Sequence, residues 1–192
     1  MDSFFSFLRG KKPSLKIDFS KGNEAYKKGC SLADKRQCEE ALIFLDIAIN
    51  NAIAEAYQER GHCLMSLEFY IDAIEDFNIA IKHNSTDCNL YFCRGLSRHT
   101  IGDLSGAISD KSLAIAYSKL KNEENANRDI KAKNMGYNSI TEYYEVFMED
   151  WERDLDFDIN MRDKLSKLTD ASLANQLLNQ HCQMWDVHRK RR

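Results

Sequence analysis

Three glycines set one register for most of the chain. Tyr26-Lys27-Lys28-Gly29, Tyr57-Gln58-Glu59-Arg60-Gly61 and Tyr91-Phe92-Cys93-Arg94-Gly95 place Gly29, Gly61 and Gly95 at spacings of 32 and 34 residues. Ala41, Ala73 and Ala107 each stand 12 residues beyond a glycine. Ala48, Ala80 and Ala114 stand seven further on, and isoleucine follows each of them (Ile49, Ile81, Ile115). Self-similarity at such a period marks a stack of supersecondary units, each of which buries its apolar side only against its neighbours.

Each period reads as two helices. In the middle one, Tyr70, Ala73, Ile74, Phe77, Ala80 and Ile81 fall at i, i+3, i+4, i+7, i+10 and i+11, one face of a helix. The partner helix carries Tyr57, Gly61 and Leu64 on a facing stripe. The short residues at the Gly and Ala positions let two helix axes approach closely. Composition agrees, since Pro13 is the single proline among 192 residues and there are only eight glycines. From Ser14 to Arg192 no residue sterically forbids a helix. An all-β chain of this length would carry Gly- and Pro-dense turns at short intervals, and these are missing.

At these positions the chain resembles the tetratricopeptide repeat (TPR) family, with its 34-residue helix-turn-helix unit. Gly61, Leu64, Ala73, Phe77 and Ala80 stand at the family's Gly, Tyr, Ala, Phe and second Ala positions. The first unit matches with Gly29, Leu32, Ala41, Leu45 and Ala48, the third with Gly95, Ala107 and Ala114. Lys111 departs from the pattern where an aromatic is usual, and Arg98 where Tyr or Leu is usual. Ile53, Ser85 and Lys119 occupy the place of the terminal proline. The resemblance implies an all-α, right-handed superhelix of three TPR-like helix pairs over residues 22–121 (22–53, 54–87, 88–121). An N-terminal segment (1–21) precedes it, and capping helices in a C-terminal extension (122–192) follow.

Residues 122–135 form a polar, degenerate helix with Gly136 as its expected C-cap. Asn138 or Ser139 then caps a helix whose Ile140, Tyr143, Tyr144, Phe147, Met148 and Trp151 make an aromatic stripe, expected to pack on the third unit as an end cap. Its other face is acidic: Glu142, Glu145, Glu149, Asp150, Glu152, Asp154, Asp156 and Asp158 read as a solvated face. Two short amphipathic pieces follow, over 161–168 and from Asp170 to the end. The second carries Leu173, Leu177, Leu178 and Trp185 before the basic His188-Arg189-Lys190-Arg191-Arg192.

In the family the first helix of each pair lines a concave groove, and the resemblance puts Asn23, Tyr26, Cys30, Glu55, Gln58, His62, Met65, Asn89, Phe92, Leu96 and His99 in it. Amide, imidazole, aromatic and thioether groups can satisfy a peptide backbone while gripping apolar side chains. The implied function is a non-enzymatic protein-interaction module that binds a partner peptide or helix, with a groove filled by the chain's own tail as the competing reading. A small cytosolic chaperone or adaptor similar to the TPR secretion chaperones is one alternative. A scaffold acting through the acidic aromatic C-terminal helix, by Tyr144 and Trp151, is another.

The family's carboxylate clamp for acidic chaperone tails finds Tyr26, Cys30, Glu59, Asn89 and Cys93 at its positions, and Glu59 has the wrong sign, so such tails are disfavoured as partners. A Gly-rich phosphate loop, a Gly-x-Ser-x-Gly elbow and a His-Glu-x-x-His pair are all missing, and no cofactor is implied. His62-Cys63 and His181-Cys182 are adjacent residues about 100° apart on a helix, which argues against a metal site. Cys30, Cys38, Cys63, Cys88, Cys93 and Cys182 contain no Cys-x-x-Cys pair and are expected to be reduced and packed. A net charge of -3 favours neither nucleic acid nor anionic lipid. Phe4, Phe5, Phe7 and Leu8 are too few for a signal core or stable membrane insertion and read as a flap on the first unit, so the expected location is cytoplasmic. A homo-oligomer is compatible with all of this.

Overall fold

The computed structural model describes residues 17–166. The Phe4–Leu8 flap, His181 and Cys182, the amphipathic piece after Asp170 and the basic end lie outside the described residues. Among those described, every regular element is an α-helix. Two compact units divide between Thr86 and Asp87. The first holds α1 (Phe19–Asp34), α2 (Cys38–Asn50), α3 (Ala56–Ser66) and α4 (Tyr70–His83). The second holds α5 (Cys88–Thr100), α6 (Leu104–Ser118), α7 (Glu123–Asn134), α8 (Ile140–Phe147) and α9 (Trp151–Ser166).

One turn joins the helices of every pair. Gln37 N donates to Leu32 O (2.9 Å), Phe69 N to Leu64 O (2.8 Å), Asp103 N to Arg98 O (2.9 Å) and Tyr137 N to Ala132 O (3.0 Å). The preceding residues Arg36, Glu68, Gly102 and Gly136 all have positive φ, and each donates to the carbonyl three residues back. This is the Schellman arrangement, which satisfies the last carbonyls of a helix and reverses the chain. Its fourth occurrence makes α7 and α8 a helix pair in the same register as the others, where the sequence shows only a degenerate helix and a cap. A further left-handed residue, Ala52, ends α2, with Ile53 N on Ala48 O at 3.1 Å. A Schellman turn thus does at Ile53 what proline usually does at the end of a unit.

Helix starts are set by side chains. Asp18, Asp87, Asp103, Asn122 and Ser139 each accept from a backbone N–H two or three residues ahead. Within pairs, packing depends on the glycines. A Cβ on Gly29 would lie 2.8 Å from the Leu45 side chain, and one on Gly61 2.8 Å from the Phe77 ring. Ala41, Leu45, Ala48, Ala73 and Phe77 are fully buried at these crossings. In the third pair Lys111 stands where Leu45 and Phe77 stand, and the indole of Trp151 lies over Gly95 instead, 3.2 Å from where its Cβ would be.

Ion pairs repeat with the helices. Arg60 makes a bidentate pair with Asp76 (both contacts 2.7 Å), and Arg94 makes the same pair with Asp110 (3.0 and 2.6 Å). Asp46 joins the first and Arg98 the second. The matching place in the first pair holds an ammonium-aromatic contact, with Lys28 Nζ 4.1 Å from the Phe44 ring centroid.

The aromatic stripe is not one helix. α8 stops at Phe147, and two short-range bonds, Glu149 N to Val146 O and Trp151 N to Met148 O, carry the chain into α9. Residues 161–166 belong to the same α9 that Trp151 opens, not to a separate piece. Gly in place of Glu68 should raise stability by about 0.5–1 kcal/mol, because the left-handed backbone costs a non-glycine residue more than the extra freedom of the unfolded glycine. The midpoint of urea unfolding of the variant against the parent checks this.

Candidate functional site

The inner side of each pair's first helix is the candidate site, and the two units treat it differently. In the second unit, Phe92 is 8% exposed and its ring stacks on Tyr144 with centroids 4.6 Å apart, flanked by Tyr143 and Phe147. His99 stacks on Trp151 at 4.9 Å and sets Nε2 2.8 Å from Asp154 Oδ2. Asn89 Oδ1 accepts from the Tyr144 hydroxyl at 3.5 Å, and Leu96 is half-buried. Here α8 and α9 cover the positions expected to line a partner groove. Exposed, the aromatic stripe would leave a large apolar area in water, and the helix that lacks an aromatic at 111 offers it a bed.

A polar network fastens this cover. Half-buried Arg128 pairs with Asp87 (2.8 Å) and donates to Asn125 Oδ1 (3.2 Å). Asn125 caps the end of α6 by donating to the Tyr117 and Leu120 carbonyls at 2.8 and 2.9 Å. The Cys88 thiol donates to the Asn125 amide oxygen, and the Tyr144 hydroxyl lies 3.8 Å from its sulfur. Burial, with Cys88 alongside, holds the Tyr144 hydroxyl far above its ordinary value of 10.0. Several carboxylates expected to be solvated have protein partners: Glu152 on Lys111 at 2.6 Å, Glu142 on the backbone N–H of Asn138, Asp154 on His99, Asp150 on Arg153. Tyr144 (1% exposed) and Trp151 (0%) are packed away from any partner, which removes the scaffold reading that relied on them.

In the first unit the corresponding side chains reach solvent. Asn23 and Glu55 are exposed, while Tyr26, Cys30, Gln58, His62 and Met65 are half-buried. By helical register Gln58, Glu59 and His62 share one face of α3, with the N-cap residue Glu55 one turn before Glu59, and Asn23, Tyr26, Cys30 and Asp34 share one face of α1. Burial pushes the Tyr26 hydroxyl well up, and the Cys30 thiol, Glu59 and Glu55 push it further. Burial likewise raises Cys30, with Glu59 and Asp34 adding to it. His62 sits 3.8 Å from Glu59 and against the Phe77 ring. Glu59 was expected here only as a clamp position of the wrong sign, and Asp34 was not expected, although its spacing from Cys30 by one helical turn is visible in the sequence.

No known family model matches the chain, and no curated protein does. Several solved structures match its backbone, two of them as follows. The first TPR of Spaghetti (RPAP3) bound to HSP90 peptide SRMEEVD aligns at TM-score 0.51 and 19% identity, over 64% of this chain and 98% of that one. The CopN-Scc3 complex aligns at TM-score 0.53 and 13% identity, over 71% and 87%. The chain has the tetratricopeptide-repeat fold.

Each alignment takes in about two thirds of the chain. At the clamp positions of the TPR family Cys93 is buried, and Tyr26, Cys30, Glu59 and Asn89 are half-buried. Cys30, Cys38, Cys63, Cys88 and Cys93 are free thiols, and burial pushes Cys63 up to about 12, which keeps it protonated. Among the described residues no helix is long and apolar enough to cross a membrane. Trp151→Ala should cost about 3–5 kcal/mol, since it empties the place beside Gly95; urea unfolding followed by circular dichroism reads this. The raised Tyr144 hydroxyl stays neutral in the fold while the unfolded chain ionises it from 10.0. Its stabilisation is therefore full below that pH and lost as pH rises above it. Tyr144→Phe should make the alkaline fall in the unfolding midpoint shallower.

Proposed function

We propose that the chain is a non-enzymatic protein-interaction module that receives a peptide or helix of a partner on the inner faces of α1 and α3. The observation that carries this reading is the contrast between the units. Phe92 and His99 are taken up by α8 and α9, whereas Asn23, Tyr26, Gln58 and Met65 keep part of their surface in water. A binding face held by packed helices spares a partner the cost of ordering it. The bound peptide of the RPAP3 structure and the two-protein CopN-Scc3 complex support protein partners in general. The peptide SRMEEVD is acidic at its end, and Glu55 and Glu59 oppose such a ligand here, so carboxylate-tail binding remains disfavoured. Free thiols at all five described cysteines suit a reducing compartment such as the cytoplasm.

Phe92→Ala is a poor probe of this face, because removing a stacked core ring destabilises the unit by about 3–5 kcal/mol. The triple variant Asn23→Ala/Gln58→Ala/Met65→Ala tests it better. It should lose the proteins that the parent captures from its own cell lysate while melting within a few degrees of it. Val146→Ala, an exposed position on α8, should capture as the parent does. If the triple variant captures the same proteins equally well, the partner does not use this face.

A further inference from the structure

The inner face of the first unit has a chemistry of its own. Tyr26, Cys30, Gln58, His62 and Met65 form a half-buried floor of ring, thiol, amide and thioether groups. Three carboxylates share its helix faces: Glu55 and Glu59 stand one turn apart on the side of Gln58 and His62, with Glu59 3.8 Å from His62, and Asp34 stands one turn beyond Cys30. Glu55 and Glu59 both act electrostatically on the Tyr26 hydroxyl, and Glu59 and Asp34 both act on the Cys30 thiol. His62 is the basic group nearest the carboxylates, 3.8 Å from Glu59, while Arg60 lies between Asp76 and Asp46, and Lys28 lies over Phe44. Lys27 flanks the face on α1, which leaves the carboxylates in excess.

We propose that this face takes a cationic segment of a partner protein, a peptide whose Lys or Arg side chains pair with Glu55 and Glu59 while an apolar residue lies on Tyr26 and Met65. The inference rests on the inner-face reading above and adds the partner's chemistry to it. Charge complementarity selects the class: an acidic tail or a phosphate-bearing ligand meets like charge at close range, and a basic segment is drawn in. A pair on half-buried Glu59 is also screened less than one on exposed Glu55.

An immobilised array of peptides of one length and one apolar content, with net charge stepped from acidic to basic, tests this on the full chain. Capture should rise with positive charge and fall with added salt. Glu55→Gln and Glu59→Gln should each weaken capture of the basic peptides about two- to fivefold and leave neutral peptides unchanged. Equal capture of acidic and basic peptides overturns the proposal, as does a double Gln variant that binds basic peptides like the parent. If peptides of every charge are captured and lost in Asn23→Ala/Gln58→Ala/Met65→Ala but not in the double Gln variant, the inner-face reading stands and the cationic partner falls. Capture indifferent to both sets of variants removes both. Where the parent captures nothing, replacing Arg189, Lys190, Arg191 and Arg192 with serine decides. Capture that then emerges assigns the face to the chain's own basic end, and continued absence of binding rejects the proposal outright.

Discussion

The close crossing of two helices at a glycine is the constraint on which this architecture depends. Gly29 against Leu45 and Gly61 against Phe77 leave no room for a Cβ, so each pair closes on a large side chain of its second helix. Because interiors pack at crystal-like density, the partner of a glycine must be large and apolar, or the crossing opens a void. The third pair breaks that rule at Lys111 and restores it from a distance through Trp151. The start of α9 is thereby tied to α5, and Lys111, freed from the core, turns to Glu152. One substitution in the repeat and one aromatic forty residues later are two halves of a single packing solution.

Polar groups follow the same logic. Asp76 and Asp110 sit one residue before the glycine's partner position and are nearly inaccessible to water, which an isolated carboxylate does not tolerate. Arg60 and Arg94, each immediately before the glycine, meet them with two parallel hydrogen bonds and fix the rotation of one helix against the other. The period of 34 between these arginines is the sequence signal that would have revealed the pairs.

Local rules carried the sequence reading up to the third pair. Gly, Ala and Phe at fixed offsets are dictated by helix contact, so their positions could be read without knowing the rest of the chain. The fourth pair escaped because Asp129, Thr141 and Glu145 stand where glycine, alanine and the large apolar residue recur, leaving Ala132 and Gly136 in register. The stripe from Ile140 to Trp151 looked continuous because the bend after Phe147 keeps helical phase through bonds of the tighter i to i−3 kind. The site was legible as a location and not as an occupancy. Phe92 and His99 lie on α5, and the rings that cover them come from Tyr144 and Trp151 of the stripe expected to cap the third unit; the periodicity of the stripe told that it would pack there, and not which side chains it would cover.

The Schellman turns at Arg36, Glu68, Gly102 and Gly136 are the feature that all four helix pairs share. Side chains at the crossings differ from pair to pair, with lysine in one and aspartate and glutamate in another, while the hydrogen-bonded reversal between helices holds the same place in all four. The backbone turn thus behaves as a ruler and the side chains as erasable marks on it. The reversals therefore count the helix pairs of this chain more fully than its side-chain motif does, four against three.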